Sequence, residues 1–239
     1  MNESEFIYQK IEDPVLRKKL IPYLSDFLTC QRLDRLKQVL KQRTRHITLA
    51  VEDLYQTQNI SAVLRTCECY GIQDVHIIEN ENQFQVHNAI SLGANKWLSL
   101  KHYQNENGIL ECIANLKNNG YTVVATDPGE DSSFLDDLPV NAPTAFLFGT
   151  ELNGLSEEAL ALADKKIKIP MYGFTESFNI SNSVAIVLSH FVEKLRKSTI
   201  KWELSEVEKE ELFLEWLQKS VKTPDLLIDA FLKEKNLHN

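Results

Sequence analysis

A chain of 239 residues with 43% hydrophobic and 25% charged side chains is long enough for one good-sized domain plus appendages, and it reads as a soluble globular protein. The net charge of −8 argues against a wholesale nucleic-acid binder, no apolar run approaches the ~18 residues of a membrane helix, and the early acids of MNESEFIYQK give no secretory signal to expect. Cys30, Cys67, Cys69 and Cys112 lack CxxC spacing, which speaks against a disulfide framework or a metal site and fits a reducing cytoplasm.

In chain order, Asp13-Pro14 offers a cap and a first-turn proline for a helix running to about Phe27, with Pro22 able to kink or split it. A second, basic helix is predicted over 31–42. HITLAVEDL (46–54) alternates Ile47, Leu49 and Val51 and reads as a strand. NISAVLRTCECYGI (59–72) reads as an amphipathic helix, opening at Asn59 and closing at Gly71, with a stripe of Ile60, Val63, Leu64 and Cys67. Strands follow at 75–78 and 97–100, with a short helix near 86–92 between them. A helix over 108–119 ends at Gly120. YTVVAT (121–126) and TAFLFG (144–149) are dense in β-branched and aromatic residues and read as buried strands. Ser156 caps a helix over 156–164, KIKIP (166–170) is the last strand, and a long apolar helix opens near Asn179. Beyond Ser198, Ser205 and Glu208 form a capping box and Thr223-Pro224 starts a second amphipathic helix. Strands alternating with helices imply an α/β fold with a mostly parallel sheet.

The loops carry the chemistry. FGTELNGLSEE (148–158) follows a buried strand, and its Gly149 and Gly154 permit turns at the strand end, where α/β proteins place ligands. IPMYGFTESFNISNSVAIVL (169–188) repeats the arrangement, with Ser177, Asn179, Ser181 and Asn182 opening an apolar helix. Either loop alone is explained by capping and turn chemistry. Two of them, together with the helix bearing Asn59 and Arg65, suggest one converging site.

NISAVLRTCECYGI, FGTELNGLSEE and IPMYGFTESFNIS resemble, in order and spacing, the three motifs of the SpoU/TrmH family of AdoMet-dependent RNA ribose 2′-O-methyltransferases. The similarity covers roughly residues 30–197. Within the family, RLDRLKQVLKQRTRHITLAVEDL most resembles the tRNA guanosine-18 branch. The resemblance implies a SPOUT-type α/β fold with a deep trefoil knot in its C-terminal part, a bent S-adenosyl-L-methionine held by the knot loops, and an obligate homodimer that completes the site. The lack of a G-x-G-x-x-G loop fits a pocket unlike the Rossmann one. No metal and no membrane enter this chemistry.

The family motif carries residue by residue onto this chain. Arg65 becomes either a general base or the group that holds an RNA phosphate and stabilises developing negative charge; a guanidinium with a pKa above about 12 makes the second role physically easier. A salt bridge to a buried acid such as Glu151 is the bland alternative. Asn59 would orient Arg65 or the phosphate, Glu151 would anchor the site, and Ser177 and Asn179 would contact substrate or hold the catalytic loop. Thr126, Gly149, Ile169, Met171 and Phe178 would line the cofactor pocket. The chain departs from the family at Phe178, where Leu is usual, and at Asn182 and Ser183, where apolar or small residues are usual.

Charge is uneven. Residues 1–45 carry ten Lys and Arg against six acids, so the remainder is −12. The plain reading is a solvated helix face; the functional one is an anionic partner, with Arg32, Arg35, Lys41 and Arg43 contacting RNA. The tail beyond Thr199 has six Lys against nine acids and makes a poor phosphate surface. The expected organisation is a basic helical extension over 1–45, a methyltransferase domain over 46–198 and a helical extension over 199–239. Ribosomal RNA as substrate, and an RNA-binding or assembly factor without catalysis, are the alternatives to tRNA methylation.

Overall fold

The computed structural model describes residues 10–80, 86–150 and 152–236. The chain divides into two compact units, one made of Thr44–Trp202 and the other of the residues up to Arg43 together with those from Glu203 onward. The two terminal segments, expected as separate extensions, therefore build one helical unit.

The larger unit is an α/β layer structure. Its strands are β1 (Ile47–Glu52), β2 (Asp74–Ile78), β3 (Ser99–Tyr103), β4 (Thr122–Thr126), β5 (Ser133–Phe134), β6 (Thr144–Phe148) and β7 (Lys165–Lys168). They form one sheet in the order β3-β2-β1-β6-β4-β7-β5, and every pairing is parallel. The helices are α3 (Thr57–Cys69), α4 (Asn88–Ser91), α5 (Gly108–Asn118), α6 (Glu157–Leu162) and α7 (Ile180–Arg196). β1, β2 and β6 are buried at every position, because helices cover both faces and the strands need no polar side.

Alternation along the strands sorts side chains between two cores. On one face Leu49, Val51, Phe146 and Phe148 meet Val63 and Leu64 of α3 and Val184, Leu188 and Phe191 of α7. The Phe146 and Phe191 rings lie 4.7 Å apart. On the other face Ala50, Val123, Ala145 and Leu147 pack under Ile113 and Leu116 of α5 and Ala159 of α6.

Three elements differ from expectation. α3 opens at Thr57, with Gln56 at the cap position making no side-chain cap bond, so Asn59 lies inside the first turn and is buried. The strand expected over 97–100 is Ser99–Tyr103, preceded by a 3-10 turn over Ala94–Trp97. Its second half is Lys101-His102-Tyr103, polar because β3 is a sheet edge, so the apolar cue stops short of it. β5 has only two residues, too few for any periodicity.

The second unit contains α1 (Pro14–Ser25), α2 (Cys30–Leu40), α8 (Glu206–Gln218) and α9 (Pro224–Asn236). Asp13 caps α1 through Val15 N at 2.9 Å, and α1 runs on past Pro22 to Ser25. The Ser205–Glu208 capping box opens α8. Arg17, 5% exposed, donates to the carbonyls of Ile11 and Glu12 and pairs with Glu211 at 3.4 Å. Arg43 is 1% exposed, with its guanidinium 5.2 Å from the centroid of the Trp216 ring. This corrects the expectation that Arg43 offers a surface charge to RNA: its side chain is packed inside the helical unit. Arg35 and Lys41 are exposed and Arg32 is half-buried.

A polar cluster lies under the β2–β3 edge. Asp74 accepts from Arg45 Nε at 3.1 Å and Lys101 Nζ at 3.2 Å, and buried His76 has its Nδ1 2.9 Å from the Tyr103 hydroxyl. Burial first, and the Lys101 charge second, lower the His76 pKa from 6.5 to about 4, with Asp74 opposing. The unfolded chain then binds a proton that the folded one refuses, so stability is full above pH 6.5 and is lost as pH falls from 6.5 towards 4. The loss over that window is roughly 3 kcal/mol. Urea unfolding of the His76→Gln variant at several pH values is expected to show a shallower acid-side decline than the unsubstituted protein.

Candidate active site

β6 ends at Phe148 and the chain turns at once. Thr150 and Gly154 exchange backbone hydrogen bonds at 3.0 Å in both directions, and Gly154 takes φ 68°. A Cβ on Gly149 would collide with the backbone of Gly154 and Leu155, so only glycine fits where the loop folds back on the strand end. The loop then delivers Ser156 to the start of α6. The Ser156 hydroxyl caps Ala159 N at 3.1 Å. Glu52, at the end of β1, accepts from Ser156 N at 2.9 Å and from its hydroxyl at 2.6 Å. Glu52 is buried and tethers this loop to the sheet. It escaped sequence reasoning because an acid at a strand end looks like the start of a loop.

This loop, the end of β4 and the segment after β7 enclose a cavity of about 400 Å³. Its walls include Phe148, Leu155, Ile167 and Ile180, with the carboxylates of Asp127 and Glu176 and the hydroxyls of Ser177 and Ser183 among them. Thr126, Gly149, Ile169, Met171 and Phe178 all line it. The Thr126 hydroxyl donates to Leu147 O at 2.8 Å, which pins β4 to β6 beside the cavity. Leu152, Tyr172 and Phe174 are almost wholly exposed on the two loops, and Phe178 is exposed at 41%.

The expected catalytic residues divide into groups. Ser177 lines the cavity. Asn179 caps α7, its Oδ1 accepting from Ser181 N at 2.9 Å and from the Ser181 hydroxyl at 2.6 Å. Its Nδ2 donates to Asn59 Oδ1 at 3.1 Å, so residues 120 positions apart join the N-terminal turns of α3 and α7. Asn59 Nδ2 in turn donates to Gln56 Oε1 at 2.8 Å. Gln56 was missed by sequence reasoning, although its position three residues before Asn59 at a helix start is one that brings side chains together. Arg65, farther along α3, is exposed, and no ion pair of its side chain is seen among the described residues. Its exposure contrasts with the buried stripe of Ile60, Val63, Leu64 and Cys67 on the same helix. Glu151 lies outside the described residues, so its expected anchoring role and its pairing with Arg65 do too. Among the described residues no cluster of His, Cys, Asp and Glu could hold a metal ion.

Comparison with known proteins covers all of these elements. The model of the SpoU rRNA methylase family matches residues 46–189, a span that includes α3, both cavity loops and the start of α7. The tRNA (guanosine(18)-2′-O)-methyltransferase of Borreliella burgdorferi is 42% identical over 212 residues, covering 89% of this chain and 95% of that protein. The enzyme of the same name from Thermus thermophilus is 38% identical over 157 residues, covering 66% of this chain and 79% of that protein. Among solved structures, the TrmH/SpoU tRNA-modifying enzyme of Aquifex aeolicus superposes with a TM-score of 0.72 at 29% identity, over 80% of this chain and 98% of that one. With the family model spanning the sheet, the cavity loops and the Asn59–Asn179 contact, the chain belongs to the SpoU rRNA methylase family.

Proposed function

We propose that the protein transfers a methyl group from S-adenosyl-L-methionine to a ribose 2′-hydroxyl of tRNA, and that the target is guanosine 18, the residue named for its 42%-identical relative. One observation carries the reading: the Asn59–Asn179 bond ties the helix bearing an exposed, outward-facing Arg65 to the loop that closes a ligand-sized cavity.

The cavity suits the cofactor. Its volume of about 400 Å³ lies in the range of small-molecule sites. Apolar walls from Phe148, Ile167 and Ile169 suit an aromatic base, the Gly149–Gly154 turn permits close backbone approach, and Asp127 and Glu176 supply negative charge for a cationic ligand. When bound, S-adenosylmethionine supplies an electrophilic methyl group on a sulfonium. The chain's own residues then have two tasks, placing the ribose oxygen and managing its charge. The hydroxyl proton must leave, to solvent water, as the new carbon–oxygen bond forms and the carbon–sulfur bond breaks. Arg65 holds an RNA phosphate bidentately and offsets the negative charge growing on the oxygen. Asn59, Ser177 and Asn179 hold the two helix starts and the loop around that position. Glu151 belongs to the same proposal as an anchor of the first loop.

Gly149→Ala is the sharpest test of the pocket. The added methyl group has backbone on its far side, so the loop must shift, at about 1–3 kcal/mol. Calorimetry is expected to show S-adenosylmethionine binding weakened about ten- to hundredfold, with the melting temperature lowered by several degrees because the shifted loop also costs stability.

The trefoil knot and the homodimer belong to the same reading. The placement of β6 between β1 and β4, with the cavity loops leaving the ends of β6 and β7 on either side of β4, supports a threaded C-terminal part. Exposed Leu152, Tyr172, Phe174 and Phe178 around the cavity mouth support a second copy completing the site. Light scattering is expected to give a dimer at micromolar concentration, and an active monomer would contradict it.

No described helix is long and apolar enough to cross a membrane, and the proposed place of action is the cytoplasm, where tRNA is modified. RNA docking is assigned to the helical unit through Arg32, Arg35 and Lys41, with Lys37 exposed on α2 and Lys18 and Lys19 exposed on α1. Mapping of ribose methylation in total RNA from cells with and without the gene tests the reading. Loss of a mark at guanosine 18 of tRNA is expected; a mark lost only from ribosomal RNA would redirect it.

A further inference from the structure

We infer that Glu52 is a positioning residue for S-adenosylmethionine: its buried carboxylate grips Ser156 and so fixes the wall that the loop between β6 and α6 gives the cavity. The inference rests on the methyltransferase reading of this site.

The carboxylate stands where that loop meets the sheet. Val51 of β1 pairs with Phe148 of β6, so Glu52 follows that pair on one strand as Gly149 follows it on the other. Alternation puts the Glu52 side chain on the same face as Ala50, the face covered by α5 and α6. There it is 4% exposed and accepts from Ser156 N at 2.9 Å and from the Ser156 hydroxyl at 2.6 Å. The loop therefore leaves the sheet beside Glu52 and is caught by the same residue where it enters α6.

Stability alone does not explain an acid at this place. A buried carboxylate gives up its hydration, and an apolar side chain of similar size would be packed there without that penalty. Glu52 offsets the loss with charge-assisted bonds, and both converge on one point of the loop. What they fix is the peptide between Leu155 and Ser156. Leu155 is buried and lines the cavity beside Gly154, whereas neither Glu52 nor Ser156 is part of the wall. The Thr150–Gly154 bonds shape the loop, but they join the loop to itself and leave its seat on the sheet to its two feet. Gly149 forms the first foot and the Glu52–Ser156 pair the second. Glu52 thus reaches the cofactor through the wall and not by contact.

Three variants separate this role from a general structural one. Glu52→Leu removes both bonds and leaves an apolar group of similar size. Ser156 is exposed, so its freed N–H and hydroxyl turn to water. Calorimetry is expected to show S-adenosylmethionine binding about tenfold weaker, the scale of one lost hydrogen bond to a charged group. The melting temperature should stay within a few degrees of the unsubstituted protein's. With tRNA as substrate, KM for S-adenosylmethionine should rise by the same factor, while kcat at saturating cofactor changes less than about twofold. Glu52→Gln can accept from Ser156 N and donate to the Ser156 oxygen, so it is expected to recover most of the affinity. Ser156→Asp keeps a good cap for α6 and sets a second carboxylate against Glu52, so it is expected to bind cofactor as weakly as Glu52→Leu. Independently of activity, ¹⁵N NMR should show the Ser156 backbone amide exchanging with water several-fold faster in Glu52→Leu than in the unsubstituted protein or Glu52→Gln. Unchanged cofactor affinity in Glu52→Leu, equal damage from Glu52→Gln, or unchanged Ser156 exchange would overturn the inference. Failure of the unsubstituted protein to bind S-adenosylmethionine would instead overturn the function, while the exchange measurement would still decide whether Glu52 holds the loop.

Discussion

Arg65→Ala is expected to lose methyl transfer by about 10²–10³-fold, the range for removing one preorganised charge-stabilising group, while S-adenosylmethionine affinity changes less than about twofold. The split follows from position. Arg65 is exposed on α3 and is not part of the cavity wall, whereas the cofactor is assigned to the cavity. The loss should therefore appear in kcat and in RNA binding at the reacting nucleotide. Arg65→Lys keeps the charge and gives up the bidentate fork, so it is expected to recover only part of the activity. Single-turnover transfer assays with calorimetry on the same samples check both numbers. An Arg65→Ala enzyme with undiminished turnover would remove Arg65 from the mechanism.

The second large effect concerns RNA affinity. Neutralising Arg35, Lys37 and Lys41 together, each to Gln, is expected to weaken tRNA binding and to flatten its salt dependence by about two units of log K per log salt. All three are exposed on or just after α2. Arg43 is left out because it is packed on Trp216, and replacing it would disturb the helical unit rather than a phosphate contact. Neutralising Lys209, Lys219 and Lys222 near and after α8 should do much less. Lys209 and Lys219 are already paired with Glu206 and Glu215, and the tail around them is acidic. Filter binding at several salt concentrations separates the two sets; a larger loss from the tail variant would place the RNA surface elsewhere.

Much of the fold was legible because its elements announce themselves chemically. The Val123–Ala125 and Ala145–Phe148 runs are apolar and buried, as strands covered on both faces are. Gly71 and Gly120 take positive φ where the helices were expected to stop. The capping box of Ser205 and Glu208 forms as its spacing implies. The less legible features depend on partners distant in sequence. Nothing local marks Arg43 as buried, since its burial is decided by Trp216, which lies in another terminal segment. Asn59 reads as a helix cap but is a buried link to Asn179, which only the folded chain brings near. Glu52 and Gln56 carry no motif of their own; each matters because of what it bonds, Ser156 in one case and Asn59 in the other. The cavity lining was more readable because its residues sit in two glycine-punctuated loops after strands, a pattern that places ligands in many parallel sheets.

The most direct test of the proposed activity uses purified protein, methyl-labelled S-adenosylmethionine and an unmodified tRNA transcript, followed by digestion and nucleoside analysis. The expected product is a single labelled 2′-O-methylguanosine at position 18, with no label in a transcript carrying 2′-deoxyguanosine there. Label on a base, or equal labelling of the deoxy transcript, would contradict ribose methylation at this nucleotide.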